Sequence, residues 1–387
     1  MKRLALALLV ALLLPVVVVA KDDEGQKFEI ANDSAHATAV KVIELDAKVG
    51  SKFAVEGPDG KQVPAYYDKK AKKLLVLASV PAGGGAFTVY DGQSSKAKDP
   101  KWKKPKTKKE GKLKLGKTIT RMSGEFENDL LKVSVPALST VHGRVIIEAN
   151  KGDYKLELSP LGASAGCVET EEIGKDVNES YMRGQKVHDE VFSIFPSVAT
   201  DIEVLEPNPF QRVLRVECYA WARKNSGDTL DLFKECGYEI TLTWGAPVVK
   251  IHSWRNQEKT FWNHNGVDLN EIYIDQQPPT MQCDDEEEAT SRVVSGNVLD
   301  IPFDKSLLLT DKTGSTVVYQ PDFKKLKIYK ECMALAKDRI MTIISQSWHE
   351  GWKPIEIKAG EYNDTMYLAC DVGKSGKTLQ EWVAEVE

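Results

Sequence analysis

Arg212-Val213-Leu214-Arg215-Val216-Glu217-Cys218-Tyr219-Ala220 and Tyr238-Glu239-Ile240-Thr241-Leu242-Thr243-Trp244 alternate polar and apolar side chains almost residue by residue. Successive side chains of a β-strand point to opposite faces, so this rhythm marks strands buried on one face and wet on the other. Val248-Val249-Lys250-Ile251-His252-Ser253-Trp254 follows after a short turn and continues the pattern. Together the three stretches predict a large antiparallel sheet.

The same signal extends in both directions. Leu130 to Val135, Arg144 to Glu148 and Tyr154 to Leu158 read as strands with turn residues between them, among them Asn150-Lys151-Gly152-Asp153. Ile340 to Ser345 and Thr365 to Cys370 close the chain as β. The one helical expectation is 322–338, where Phe323, Leu326, Ile328, Tyr329, Met333 and Leu335 approximate a 3.6-residue period, although part of this segment also reads as strand. Nearer the N-terminus, Thr38 to Ile43, Leu74 to Leu77 and Ala86 to Tyr90 are strand candidates. Gly57-Pro58-Asp59-Gly60 and Pro81-Ala82-Gly83-Gly84-Gly85 supply turns. No internal repeat stands out.

These readings predict an all-β protein: a small N-terminal β-barrel or sandwich over 21–93, then a large antiparallel, supersandwich-like β-sandwich over 118–387. Between them, 94–117 is dominated by Lys, Pro, Gly and Ser with Trp102 as its one aromatic, and is expected to be an extended linker because it buries too little to offset ordering. A polybasic run beside a Trp is also suited to touching an anionic polymer or surface.

Residues 1–20 read as an export signal. Lys2 and Arg3 precede the apolar run Leu4 to Val19, which ends in small residues at Ala20 before Lys21-Asp22-Asp23-Glu24. The run falls short of the roughly 20 residues a spanning helix needs, and Pro15 interrupts it. The expected mature chain is therefore secreted or periplasmic, with no membrane anchor. The 387 residues carry a formal net charge of −5 with the lysines concentrated in one segment, which argues against a nucleic-acid partner. The six cysteines suit a compartment that permits disulfides. Cys218 and Cys236 flank a strand–turn–strand pattern that would bring them within bonding reach; buried free thiols are the alternative. With no CxxC or CxxH pair, no structural zinc site is expected.

The richest set of chemical side chains is His252, Trp254, Arg255, Trp262, Asn263, His264 and Asn265, with Asp268 and Tyr273 close behind. An indole packs against the apolar face of a pyranose, while Asn, Arg and His bind hydroxyls or a carboxylate. On a uronate ligand Arg255 would hold the carboxylate, and His252 or His264 would act as base or acid near neutral pH. His252 and Trp254, two residues apart, would share a face, with Arg255 on the other face or at the strand end. The competing reading makes the tryptophans sheet-packing residues. Trp348-His349-Glu350-Gly351-Trp352 is a second aromatic cluster, in which Glu350 and His349 would serve as base and acid. Asp284 to Glu288 lacks the spacing of a calcium loop, and His188-Asp189-Glu190 is ambiguous. No GxSxG, HExxH, phosphate-binding loop or dinucleotide fingerprint is present, so no cofactor is expected.

A small N-terminal β domain, an Asn128-Asp129-Leu130-Leu131-Lys132-Val133 opening and then long antiparallel strands resemble the layout of secreted polysaccharide lyases of the exo-rhamnogalacturonan lyase type. More loosely, they resemble galactose-mutarotase-like supersandwich proteins. The resemblance implies a carbohydrate or polysaccharide ligand, acidic polysaccharides included, and lyase- or hydrolase-like chemistry. The large helical toroid expected after the sandwich of such lyases has no room here, so no catalytic residue is carried over. A non-catalytic glycan-binding or cell-envelope role is the alternative, and a protein-interaction role a third. No oligomeric state follows from these residues.

Overall fold

The computed structural model describes residues 17–22, 25–137, 144–161, 164–168, 191–263, 268–273, 280–283, 292–293, 299–302, 306–310, 313–321, 333–337, 340–344, 355–373 and 375–386. The chain divides into two compact units, Met1–Pro100 and Lys101–Glu387. Both are built from antiparallel strands, and the all-β class read from the sequence holds.

In the first unit the strands are β1 (Val17–Asp22), β2 (Gly25–Ile30), β3 (Lys41–Leu45), β4 (Phe53–Glu56), β5 (Gln62–Val63), β6 (Ala65–Asp68), β7 (Lys73–Ala78) and β8 (Gly85–Asp91). They form a five-stranded sheet, β1-β2-β8-β4-β5, and a three-stranded sheet, β3-β7-β6. Phe28, Leu45, Val55, Leu74, Val76 and Phe87, drawn from both sheets, close one buried core between them. The turn read at Gly57 to Gly60 forms as expected. Gly60 donates to the Gly57 carbonyl at 3.0 Å with φ +74°, a conformation that costs a residue with a Cβ. Residues 1–16 of the expected export signal lie outside the described residues, and Val17–Ala20 belong to β1 in the uncut chain.

The second unit begins with β9 (Lys106–Leu115), β10 (Lys117–Glu127), β11 (Leu131–Val135), β12 (Val145–Ala149), β13 (Lys155–Ser159), β14 (Ser164–Val168), β15 (Phe192–Asn208), β16 (Gln211–Lys224) and β17 (Thr229–Leu230). It continues through β18 (Phe233–Thr243), β19 (Val248–Gln257), β20 (Phe261–Asn263), β21 (Asp268–Tyr273), β22 (Thr280–Cys283), β23 (Arg292–Val293), β24 (Leu299–Pro302) and β25 (Ser306–Thr310). The last elements are β26 (Ser315–Tyr319), β27 (Met333–Lys337), β28 (Ile340–Ile344), β29 (Ile355–Ile357), β30 (Gly360–Cys370) and the helix α1 (Leu379–Val386).

One sheet runs β24-β27-β28-β21-β13-β12-β11-β10-β9, and the other runs β23-β22-β25-β26-β30-β19-β18-β16-β15-β14-β20-β29 with β17 beside β16. Their inner faces share a core. Phe126, Leu131, Val133, Ile147 and Leu158 come from the first sheet, and Leu214, Val216, Ile240, Ile251, Met366 and Leu368 from the second. This is the sandwich that the alternation over 212–254 predicts.

Three expectations are corrected. Lys106–Leu115 is not part of an extended linker but the edge strand β9, paired along β10. An edge strand need bury only a little of one face; Leu113 and Leu115 do so while the lysines stay exposed. Trp102 is anchored too: its Nε1 donates to the Pro209 carbonyl at 2.9 Å, and it packs edge-on to Trp244 at 5.3 Å. Within the expected helix 322–338, residues 333–337 are strand β27; 322–332 lie outside the described residues. The period-3.6 pattern there came from apolar residues that an alternating strand also uses.

The third correction concerns the cysteines. Cys218 and Cys236 lie opposite one another across β16 and β18, as expected, but are free thiols, as is Cys370. Facing positions are necessary for a bridge but not sufficient. Instead the Cys236 thiol donates to the Cys218 carbonyl at 3.3 Å, and burial pushes it up to about 11.

The described helix was not foreseen. Thr378 caps α1: its Oγ1 accepts from the Glu381 amide at 3.3 Å, and the Glu381 carboxylate accepts from the Thr378 amide at 2.7 Å. Thr-x-x-Glu is the sequence signature that could have revealed it. Trp382 and Leu379 of α1 pack with Leu308, Val317, Tyr319 and Ala369, which face away from the sandwich core.

Candidate functional site

The sandwich's second sheet presents an outer face on which side chains from five strands line up in register. One row across β15, β16, β18, β19 and β30 is Glu203, Arg215, Glu239, His252 and Thr365. The next is Asp201, Glu217, Gly237, Trp254 and Asn363. The alternation fixes this face. Leu214, Val216, Ile240, Ile251 and Met366, one residue out of phase, point into the core.

Trp254 is the centre of the arrangement. A Cβ on Gly237 would lie 2.6 Å from the indole Cζ2 and 2.4 Å from the Val216 carbonyl oxygen, so the indole rests directly on backbone where only glycine fits. The Arg215 guanidinium carbon stands 5.2 Å from the Trp254 ring centre, within cation–π range. The His252 imidazole lies alongside, its ring centre 6.2 Å from the indole and the planes inclined by 29°.

Hydrogen bonds and ion pairs fix the neighbours. Arg215 Nε donates to Glu217 at 3.0 Å, and its Nη1 pairs with Glu239 at 3.6 Å. His252 Nδ1 and Thr365 Oγ1 are 3.0 Å apart. Burial lowers the His252 pKa from its ordinary value; the Glu239 charge opposes that effect, and Lys250 adds to it. At neutral pH the ring is therefore uncharged, able to donate from one nitrogen and accept at the other. The patch combines an aromatic platform, a fixed guanidinium, carboxylate acceptors and a neutral imidazole.

The other residues singled out in the sequence do not gather here. Arg255 shares the face of Ile251 and Ser253, opposite Cys236 and Tyr362, so it cannot meet a ligand together with His252. Trp262 and Asn263 lie on β20, which pairs with β14 and β29. β20 follows β19 after three residues but does not pair with it, four strands intervening along the sheet order. Tyr273 belongs to the other sheet, on β21 between β13 and β28. Arg255 is thus parted from His252 by the alternation of one strand, and Trp262 stands on a strand that does not pair with β19. His264, Trp348, His349, Glu350 and the segments 284–288 and 188–190 lie outside the described residues.

Sequence reasoning missed Arg215, Glu217, Gly237 and Glu239. A glycine inside the otherwise regular strand Phe233–Thr243 was the available signal, because such a glycine often marks a close approach by another group. Among the described residues no group of acidic, His and Cys side chains is arranged to hold a metal ion.

No protein-family model matches the chain, and no curated protein matches it. Among solved structures it is similar to an alpha-mannosidase from Enterococcus faecalis V583, at 13% identity and a TM-score of 0.49, over 90% of this chain and 43% of that one. It is similar to the same degree to a protein in the glycosyl hydrolase family 38 from Enterococcus faecalis, at 13% identity and a TM-score of 0.49, over 90% of this chain and 44% of that one. The chain thus spans less than half the length of either protein. A likeness of that degree leaves the chemistry to be read from the chain's own residues.

Proposed function

We propose that this is an exported carbohydrate-active protein that binds a glycan on the outer face of its large sheet, with the Trp254 indole as the platform. The observation carrying the reading is the Gly237–Trp254 contact, because it lays an aromatic plane on the sheet beside polar groups from three neighbouring strands. Sugars are recognised by this combination: C–H groups pack on the ring while hydroxyls bond to directional partners. The separation of Arg255 from His252 favours binding over the lyase- or hydrolase-like chemistry that the layout suggests.

Affinity electrophoresis or calorimetry of the mature protein against a polysaccharide panel tests this reading. It expects retention by at least one glycan, abolished in Trp254→Ala and unaccompanied by new reducing ends or unsaturated uronate absorbance. Binding that survives Trp254→Ala would remove the platform from the account, and turnover would restore the enzyme reading. Export is tested separately by N-terminal sequencing of protein recovered outside the cytoplasm, where Lys21 is the expected first residue.

A further inference from the structure

We infer that the glycan taken by the Trp254 platform carries no acidic groups. The inference rests on the platform reading and concerns the ligand's chemical class. The outer-face rows place Asp201, Glu203, Glu217, Glu239, Glu235 and Glu361 around the indole. Asp201, Glu203, Glu235 and Glu361 are exposed. The cations facing the same way among the described residues of these rows are Arg215 and Lys250.

Both cations already have protein partners. Arg215 already stands between Glu217 and Glu239, its Nε hydrogen-bonded to the first and its Nη1 3.6 Å from the second, so a ligand carboxylate reaching its remaining N–H groups would face two like charges. The Lys250 ammonium lies 5.7 Å from the Tyr367 ring centre, two rows away from Trp254. A uronate or sulfated sugar would therefore approach a face carrying more negative than positive charge, a repulsion screened over about 8 Å at physiological ionic strength. An uncharged pyranose meets acceptors instead: its hydroxyls donate to carboxylates in charge-assisted hydrogen bonds.

The full chain is tested in gels containing mannan, xylan or β-glucan, and in gels containing polygalacturonate. The comparison includes Trp254→Ala, Trp254→Phe and the combined variant Asp201→Asn, Glu203→Gln, Glu235→Gln, Glu361→Gln. Far-ultraviolet circular dichroism establishes that each variant is folded, and Trp254→Phe, which keeps an aromatic face, serves if Trp254→Ala is not. The expected result is Trp254-dependent retention by a neutral glycan and none by polygalacturonate. Removing the four exposed carboxylates should raise Trp254-dependent affinity for polygalacturonate by about tenfold or more. Only retention that depends on Trp254 counts, because the lysines of β9 attract polyanions without using the platform. Polygalacturonate bound through Trp254 as tightly as any neutral glycan would overturn the inference and leave the platform standing. If no glycan of either class is bound through Trp254, the platform reading itself falls.

Discussion

At the scale of single residues, Gly237 and His252 make the sharpest predictions. Adding a methyl group at Gly237 places it 2.4 Å from the Val216 carbonyl and 2.6 Å from Trp254, so backbone or indole must move. Gly237→Ala should cost about 1–3 kcal/mol, the usual penalty for overpacking, and weaken glycan retention at the same time. Urea denaturation followed by a retention assay checks both effects; unchanged stability would contradict the contact. For His252 the sign follows from burial, which lowers its pKa from 6.5 in the folded state. Between that value and the lowered one the unfolded chain binds more protons, so stability falls as pH drops below about 6.5. Urea midpoints measured between about pH 5 and 8 should show this slope in the wild type and a flatter one in His252→Asn.

At the scale of elements, Asn128 holds the two sheets of the sandwich in place. Its Nδ2 donates to the Thr243 and Ala246 carbonyls at 2.7 and 3.0 Å, at the end of β18 and beyond it, and its Oδ1 accepts from the Leu130 and Leu131 amides at 2.8 and 2.6 Å, at the start of β11. Asp129 adds a bond from the Gly245 amide at 2.7 Å. Asn128→Ala leaves several buried backbone groups unpaired and should cost about 2–4 kcal/mol, read as a lowered Tm in a calorimetric scan. The Asn128-Asp129-Leu130-Leu131 opening that resembles the lyase layout therefore has a structural duty, sufficient without any catalytic role. The strands themselves were legible because alternation is a local property: Arg212 to Ala220 and Tyr238 to Trp244 lie within β16 and β18 almost to the residue. The site was only partly legible. His252 and Trp254 sharing a face follows from spacing, but Arg215 and Glu239 reach them through strand pairing, which no spacing along the chain encodes. Likewise α1 went unseen because its apolar face is only two turns long, leaving the capping box as its main signal.

At the scale of the whole molecule, the two compact units are joined through a lysine-rich stretch of which only part is irregular. Lys96 and Lys98 are exposed and outside any strand, whereas Trp102 is docked and β9 is paired. Limited trypsin digestion should therefore cut first near Lys96 and Lys98, releasing a fragment that begins close to Lys101; early cleavage inside 106–115 would contradict the pairing of β9. That strand has a further consequence. It ends its sheet, and an unpaired strand edge is a template onto which another chain can add a strand. Lys106, Lys108, Lys109, Lys112 and Lys114 line this edge, so a second copy approaching it in register brings like charges together. The charges that make the segment look unfit to fold would then guard it against growing into a fibre. That guard is ionic and weakens as salt rises. Concentrated protein should stay dispersed at low ionic strength and begin to associate edge to edge as salt is added, a trend measurable by light scattering and accelerated by replacing these lysines with threonine.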